Sequence, residues 1–380
     1  MSLDLTHAVV LSGGGAKGAY EVGVMKALFQ GESPSTAHRT LDPAVFTGTS
    51  VGSYNAAVMV SRPQAEAAQT ILDLERIWTD RIADREGNGE NGVFRFRGLP
   101  YGLANPAELV RNPLKPMLQF AEDAVTLTDD YWRRIVHLPF AEGPISRRLL
   151  ELVSLSAWIS MEPFQRLLDE TLPAEDILDS PKSLRVAATD WRAGRLRVFR
   201  NRAGSGDDSF VQMEVDSVRR SIAASSAIPG IFPSVELDRA PHVDGGAVMN
   251  TPLRSAILAG AETIHVVYLD PELEDIPLGR LENTVDTLER LFVLMMAVIT
   301  NRDIAAARRI NEMVTSGTQP RSASRRMRPL TIHRYRPRGD LGGLLGLLDF
   351  RKATVLRLIE QGREDARAHD CAACGCIVPE

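Results

Sequence analysis

Cysteine is missing from the first 370 residues of this chain, and its three copies, Cys371, Cys374 and Cys376, crowd into the last ten of 380 positions. A disulfide framework spreads its cysteines through a fold, so none is expected here. With His369 the three give H-x-C-x2-C-x-C, which offers four potential metal ligands. The loops between them are tight and the sequence offers no second ligand pair elsewhere. Residues 371–380 therefore read as a frayed Cys-rich tail, and no metal is expected. Long apolar runs are also lacking. The longest, LFVLMMAVIT at 291–300, falls well short of the roughly 20 residues a membrane-spanning helix needs and reads as buried helix. Met1 to Asp4 carry no basic stretch and the apolar run behind them is short, so no secretory signal is expected. Positive charge is not in excess: the formal net charge is −5, which argues against general nucleic-acid binding. The expectation is a soluble, cytoplasmic protein, with peripheral membrane contact left open. Its length points to about two domains.

What is present is an alternation of strand-like and helix-like segments. HAVVLS (7–12) reads as a buried strand, AYEVGVMKALF (19–29) as a helix and PAVFTG (43–48) as a second strand. SYNAAVMV (53–60) reads as a small-residue helix, and 64–82 as an amphipathic one with Ile71, Leu74, Trp78 and Ile82 on one stripe. From 84 to 145 turns and prolines recur, which suggests an insertion of short helices and loops, possible as a lid. Helix is expected to resume over 145–160 and 163–172. Strands follow at 184–190, 195–200, 263–270 and 329–335, with helices at 217–233 (broken at Pro229), 252–260, 281–314 (one helix or a pair) and 349–369. Strands separated by helices indicate a three-layer α/β/α fold around a mostly parallel sheet. The core is expected over 6–270, interrupted by 84–145, with 271–370 as a helical and strand extension packed on it.

Three places carry chemistry. GGGAKG (13–18) contains G-x-G-x-x-G as Gly13, Gly15 and Gly18, between a strand and a helix, the context a dinucleotide site requires. Yet the second strand ends at Thr47 and Gly48, without the acid that would hold a ribose, and Ala19 stands where a Walker loop needs other chemistry. That strand instead runs into Gly48-Thr49-Ser50-Val51-Gly52, which is G-x-S-x-G. A serine held in a sharp strand-to-helix turn needs small neighbours two positions either side, and the following helix aims N–H groups at it. Such a serine needs a base. None of the seven histidines (7, 38, 137, 242, 265, 333, 369) sits in a glycine-marked loop downstream of a plausible acid. Asp244, followed by Gly245 and Gly246, does occupy such a turn.

GGGAKG, GTSVG (48–52) and DGG (244–246), in this order, resemble the patatin-like phospholipases, and ASSAIPGIFP (224–233) is similar to the family's segment before the aspartate. The resemblance covers about 6–270 without 84–145, and Lys17 stands where arginine is frequent. It implies a serine acyl hydrolase, of phospholipase A or lysophospholipase type, working through a Ser–Asp dyad and an acyl-enzyme. Ser50 would be the nucleophile and Asp244 the base, with Gly48, Gly52, Gly245 and Gly246 supporting the turns. Gly13, Gly14, Gly15, Ala16, Lys17 and Gly18 would form the oxyanion segment, Lys17 either adding charge or ordering the loop. No cofactor or metal is implied, and activity is expected to be calcium-independent on an acyl lipid or phospholipid.

Substrate contact is less determined. The arginine-rich run 321–338 either meets anionic headgroups or forms a solvated loop and strand. The leucines of GDLGGLLGLLDF (339–350) either contact an acyl chain or pack as a turn, and LVSLSAW (152–158) is a candidate pocket wall. Alternatives to the hydrolase are a nucleotide-binding protein using the glycine loop, a lipid-binding protein without turnover on the same fold, and a histidine-dependent α/β-hydrolase.

Overall fold

The computed structural model describes residues 4–84, 91–97, 114–137, 158–204, 207–272, 284–318, 328–343 and 345–379. The strands are β1 (Asp4–Leu11), β2 (Pro43–Thr49), β3 (Arg95–Phe96), β4 (Ile159–Ser160), β5 (Ser183–Asp190), β6 (Arg195–Arg200), β7 (Phe210–Gln212), β8 (Val235–Leu237), β9 (Ala240–Asp244), β10 (Thr263–Val267) and β11 (Thr331–Tyr335). The helices are α1 (Gly18–Phe29), α2 (Val51–Val60), α3 (Ala67–Ile77), α4 (Leu114–His137), α5 (Glu162–Thr171), α6 (Ala174–Asp179), α7 (Val215–Ser225), α8 (Leu253–Ala259), α9 (Thr284–Thr315) and α10 (Lys352–Arg367).

Nine strands form one sheet in the order β11-β10-β1-β2-β5-β6-β7, with β9 against β5 and β8 beyond it. The five strands from β11 to β5 run parallel to one another, as strand–helix–strand connections require, whereas β6 and β9 pair antiparallel with β5. Their residues are buried on both faces, so β1 and β2 read as continuous apolar runs. Alternate side chains serve two cores. Val9, Leu11 and Phe46 pack with α1, α2, α3 and α10, whereas Ala8, Val10 and Val45 pack with α8, α9 and Ile377. The result is a three-layer α/β/α fold around a mostly parallel sheet.

Three local features depart from the sequence reading, and one open alternative is resolved. Residues 114–137 form one 24-residue helix, where only short helices were expected. Pro116 falls in its first turn, where backbone N–H groups have no helical partner to lose. Ile159 and Ser160, expected at a helix end, pair with Phe96 and Arg95 instead; 145–157 lie outside the described residues. The segment 281–314 resolves into the single helix α9. Finally, the Cys-rich segment is not frayed: Ile377 exchanges both backbone hydrogen bonds with Ile332 of β11, at 2.7 and 2.9 Å. An edge strand offers unpaired backbone groups, and the chain end takes them.

Candidate active site

The sheet register brings two distant residues together. One side of β5 pairs first with β2 and then with β9. Ala187 stands opposite Thr49, and the next residue, Ala188, stands opposite Asp244. Ser50 follows Thr49, so the end of β2 and the end of β9 meet over adjacent residues of one strand. The dipeptide steps to Ser50 and to Gly245 begin there.

Ser50 lies in a strained turn at φ 54°, ψ −128°, in a left-handed region costly for a residue with a side chain. The turn closes only because its flanks are bare. A Cβ on Gly48 would stand 2.2 Å from the Gly52 carbonyl oxygen, and one on Gly52 2.7 Å from that of Leu11. From Ser50 the chain enters α2, whose N-terminus faces the serine. The Ser50 N–H donates to Ser225 Oγ (2.8 Å), and that hydroxyl donates to the Ala187 carbonyl (2.6 Å), pinning the turn to β5.

Asp244 is buried at the start of a short 3-10 turn, where its Oδ1 accepts the Gly246 N–H at 2.7 Å. Its own N–H donates to the Ala227 carbonyl (2.9 Å). Burial pushes the Asp244 carboxyl up to about 6, opposed by the facing Ser50 hydroxyl and the Gly246 N–H. A carboxylate in that position can take a proton near neutral pH.

The glycine loop passes beside Ser50: a Cβ on Gly13 would stand 3.1 Å from Ser50 Cβ. The Gly13 N–H donates to the Asn250 carbonyl (3.1 Å), and within the loop the Lys17 N–H donates to the Gly14 carbonyl (3.1 Å). The Gly18 N–H goes to the carbonyls of Ala16 and Gly15. Among the described residues the N–H groups of Gly14 and Gly15 have no acceptor. Gly15 takes φ 55° and packs where a Cβ would be 2.2 Å from the Leu347 carbonyl. The buried Lys17 ammonium pairs with Asp270 at 2.9 Å, which ties the loop to the end of β10.

Two residues of this arrangement were not singled out from sequence. Asn250 grips Gly13 from both sides, taking its N–H and donating Nδ2–H to its carbonyl (3.2 Å). Ser225 belongs to the ASSAIPGIFP segment, whose family likeness was the available signal. Asn250, six residues past Asp244, had none.

Ser50 and Gly15 open on an apolar pocket of about 460 Å³ of empty space, its mouth included. Tyr54, Trp78, Phe164, Phe232, Leu347 and Phe350 are among its walls. In the 339–350 segment Leu341 packs in the core, and Leu347 and Leu348 line the pocket. Of LVSLSAW only Trp158 lies within the described residues, and it is exposed. No described histidine lines the pocket. His242, nearest Asp244 in sequence, turns Nδ1 to the Ala240 carbonyl (2.9 Å) and packs on Phe199.

A family model described as Patatin-like phospholipase matches residues 9–257. The chain belongs to the patatin-like phospholipase family. Membership marks the chain as one of a lipid acyl hydrolase family. Among solved structures the patatin-like chain is similar to VipD from Legionella pneumophila, at 12% identity and a TM-score of 0.36. The match covers 96% of this chain and 66% of that one. No curated protein matches the sequence. As for membranes, no described helix is long and apolar enough to cross one.

Proposed function

We propose that this chain is a serine acyl hydrolase that cleaves carboxylic esters of phospholipid, lysophospholipid or another acyl lipid. The observation that carries the reading is the meeting of Ser50, in its strained turn, with the buried Asp244 carboxylate at the mouth of an apolar pocket.

The acyl chain enters the pocket and leaves its ester carbonyl over Ser50. Asp244 takes the hydroxyl proton as Oγ attacks. The carbonyl oxygen becomes an oxyanion and is received by the N–H groups of Gly14 and Gly15, each such donor contributing about 3 kcal/mol. Asp244 then returns the proton to the departing alcohol, leaving an acyl-Ser50 ester. Water, deprotonated by the same carboxylate, releases the fatty acid and restores Ser50. Every proton is handled by one aspartate, and the steps call on no histidine, metal or cofactor.

A phosphate-binding role for the glycine loop is disfavoured by Asp270. Its carboxylate occupies the Lys17 ammonium and sets negative charge beside the loop, where a phosphate would be repelled. The described arginines of the 321–338 run have carboxylate partners within the chain, which lends little support to a role in peripheral membrane contact. Arg328 pairs with Glu262, Arg334 with Glu272 and Arg338 with Asp365; 319–327 lie outside the described residues.

The test is active-site labelling with a fluorophosphonate, alongside fatty-acid release from mixed phospholipids and p-nitrophenyl esters. Label on Ser50 is expected, with hydrolysis lowered roughly a thousandfold or more in a folded Ser50→Ala protein. Full activity in that variant would remove the mechanism, and so would label confined to another serine.

A further inference from the structure

The chain end folds back to place four soft or borderline ligand atoms at one point. His333 comes from edge strand β11, His369 from the residues just after α10, and Cys371 and Cys376 from the turn that follows. Their ligating atoms all lie within 4.8 Å of one another. Both histidines are buried and both cysteines half-buried. Sequence spacing could not show this grouping, because His333 is 38 residues from Cys371. It also differs from the H-x-C-x2-C-x-C grouping, since Cys374 is not among the four and His333 is.

Three contacts define the geometry. Cys371 Sγ stands 3.4 Å from His333 Nδ1 and 3.5 Å from His369 Nε2, and Cys376 Sγ stands 3.4 Å from the same His369 Nε2. Hydrogen bonds alone satisfy this poorly, because one ring nitrogen faces two sulfurs. A central cation satisfies it directly. With Zn–S near 2.3 Å and Zn–N near 2.0 Å at a tetrahedral angle, sulfur and nitrogen stand about 3.5 Å apart. We propose that His333, His369, Cys371 and Cys376 form a structural zinc site that fastens the chain end to the edge of the sheet.

Neighbouring groups fit that assignment. The Arg334 N–H donates to Cys376 Sγ at 3.3 Å, the kind of bond that steadies a thiolate ligand. His333 stacks on His265 at 5.0 Å between centroids, and His369 lies against Tyr335 at 4.5 Å, which fixes both ring planes. Asp370, the nearest carboxylate in sequence, is engaged otherwise: its Oδ1 accepts the N–H groups of Ala372 and Ala373 and shapes the turn. Two thiolates and two neutral imidazoles exactly balance Zn2+ in charge, with two thiol protons released to solvent on binding. Two sulfurs and two imidazoles suit zinc and disfavour magnesium or calcium, which take oxygen. Four protein ligands leave no open position, and none of the four lines the Ser50 pocket. The site is therefore independent of the proposed hydrolysis.

The test is metal content of the full chain isolated under reducing conditions, read by elemental mass spectrometry. About one zinc per chain is expected, lost in Cys371→Ser and in His333→Ala and kept in Cys374→Ser. Cobalt added to the chelator-stripped wild-type chain is expected to give intense tetrahedral d–d absorption and charge transfer from two thiolates. That spectrum decides the question even where a ligand variant does not fold. The proposal is overturned if the reduced chain takes up neither metal, or if cobalt binds without thiolate charge transfer. Loss of metal from Cys374→Ser, or a Cys371–Cys376 disulfide in protein isolated with its thiols blocked, would overturn it equally.

Discussion

Asp244 is pulled in opposite directions by folding and by the proposed chemistry. Burial raises its carboxyl from 3.8 to about 6, which makes it a better base once ionised and a worse residue to bury charged. As a base it must be unprotonated, so kcat/KM on a soluble ester is expected to fall with unit slope below pH about 6. Stability runs the other way. A folded pKa above the unfolded one means the folded state binds the proton more tightly. The contribution is therefore present in full below pH 3.8 and is lost as pH rises through about 6. Two pH units correspond to at most roughly 3 kcal/mol. Asp244→Asn, uncharged throughout, should hydrolyse roughly a thousandfold more slowly yet melt higher than wild type at pH 8, the gap closing toward pH 4. Equal melting at both pH values would show that the buried charge carries no such cost. Asn250 tests a different kind of contribution. Its backbone carbonyl accepts the Gly13 N–H and its side-chain Nδ2–H donates to the Gly13 carbonyl; only the second bond is lost on truncation to alanine. Asn250→Ala is expected to lower kcat roughly tenfold or more with KM little changed, because loosening the loop misplaces its donors. A rise in KM alone would instead make Asn250 a binding residue.

At the level of elements, legibility followed the range of the cause. The serine turn was legible because half of its requirement is local: a side chain on Gly48 would strike the Gly52 carbonyl four residues on, while Gly52 is kept bare by the more distant Leu11 and Ser12. β1, α1 and β2 were legible because apolar period and glycine punctuation mark them. Lys17's partner was not, since Asp270 is 253 residues away. Nor was Ser225, which meets Ser50 across 175. The length of α4 was hidden by Pro116, which signals a break everywhere except in a first turn. The tail misled for the same long-range reason, as its partner strand is β11. The crossing of α1 and α10 is a further case. Gly23 and Gly362 let the two backbones touch: a Cβ on Gly23 would be 1.9 Å from the Ile359 carbonyl, and one on Gly362 2.1 Å from that of Tyr20. Neither neighbour is a side chain that can swing aside. Gly362→Ala should therefore destabilise by roughly 1–3 kcal/mol through overpacking, although alanine favours a helix over glycine by about 1 kcal/mol. Urea denaturation would show the balance, and a stabilised Gly362→Ala chain would mean the helices part without cost.

For the molecule as a whole, the family segment is shorter than the sheet that holds it. The match ends at residue 257, before β10, β11 and α10. Yet β10 lies between β11 and β1, inside the sheet and one strand from its edge, Asp270 holds Lys17, and Leu347, Leu348 and Phe350 help line the pocket beside Ser50. On α10 the side chains of Val355, Leu358 and Ile359 are buried. Each buried aliphatic of this size is worth about 1.5–3 kcal/mol, so the three together reach roughly 5–9 kcal/mol. A whole domain is stable by only about 5–15 kcal/mol. We therefore propose that the later elements belong to the folding unit and are not an appendage to a self-sufficient core. A chain ending at Ile257 is expected to be insoluble or to melt without cooperativity, whereas one ending at Ala368 keeps every strand and α10 and should fold cooperatively at a lower Tm. Calorimetry of the two truncations separates these contributions. A cooperative transition in the shorter chain would show that β1 and β2 can close their core without β10.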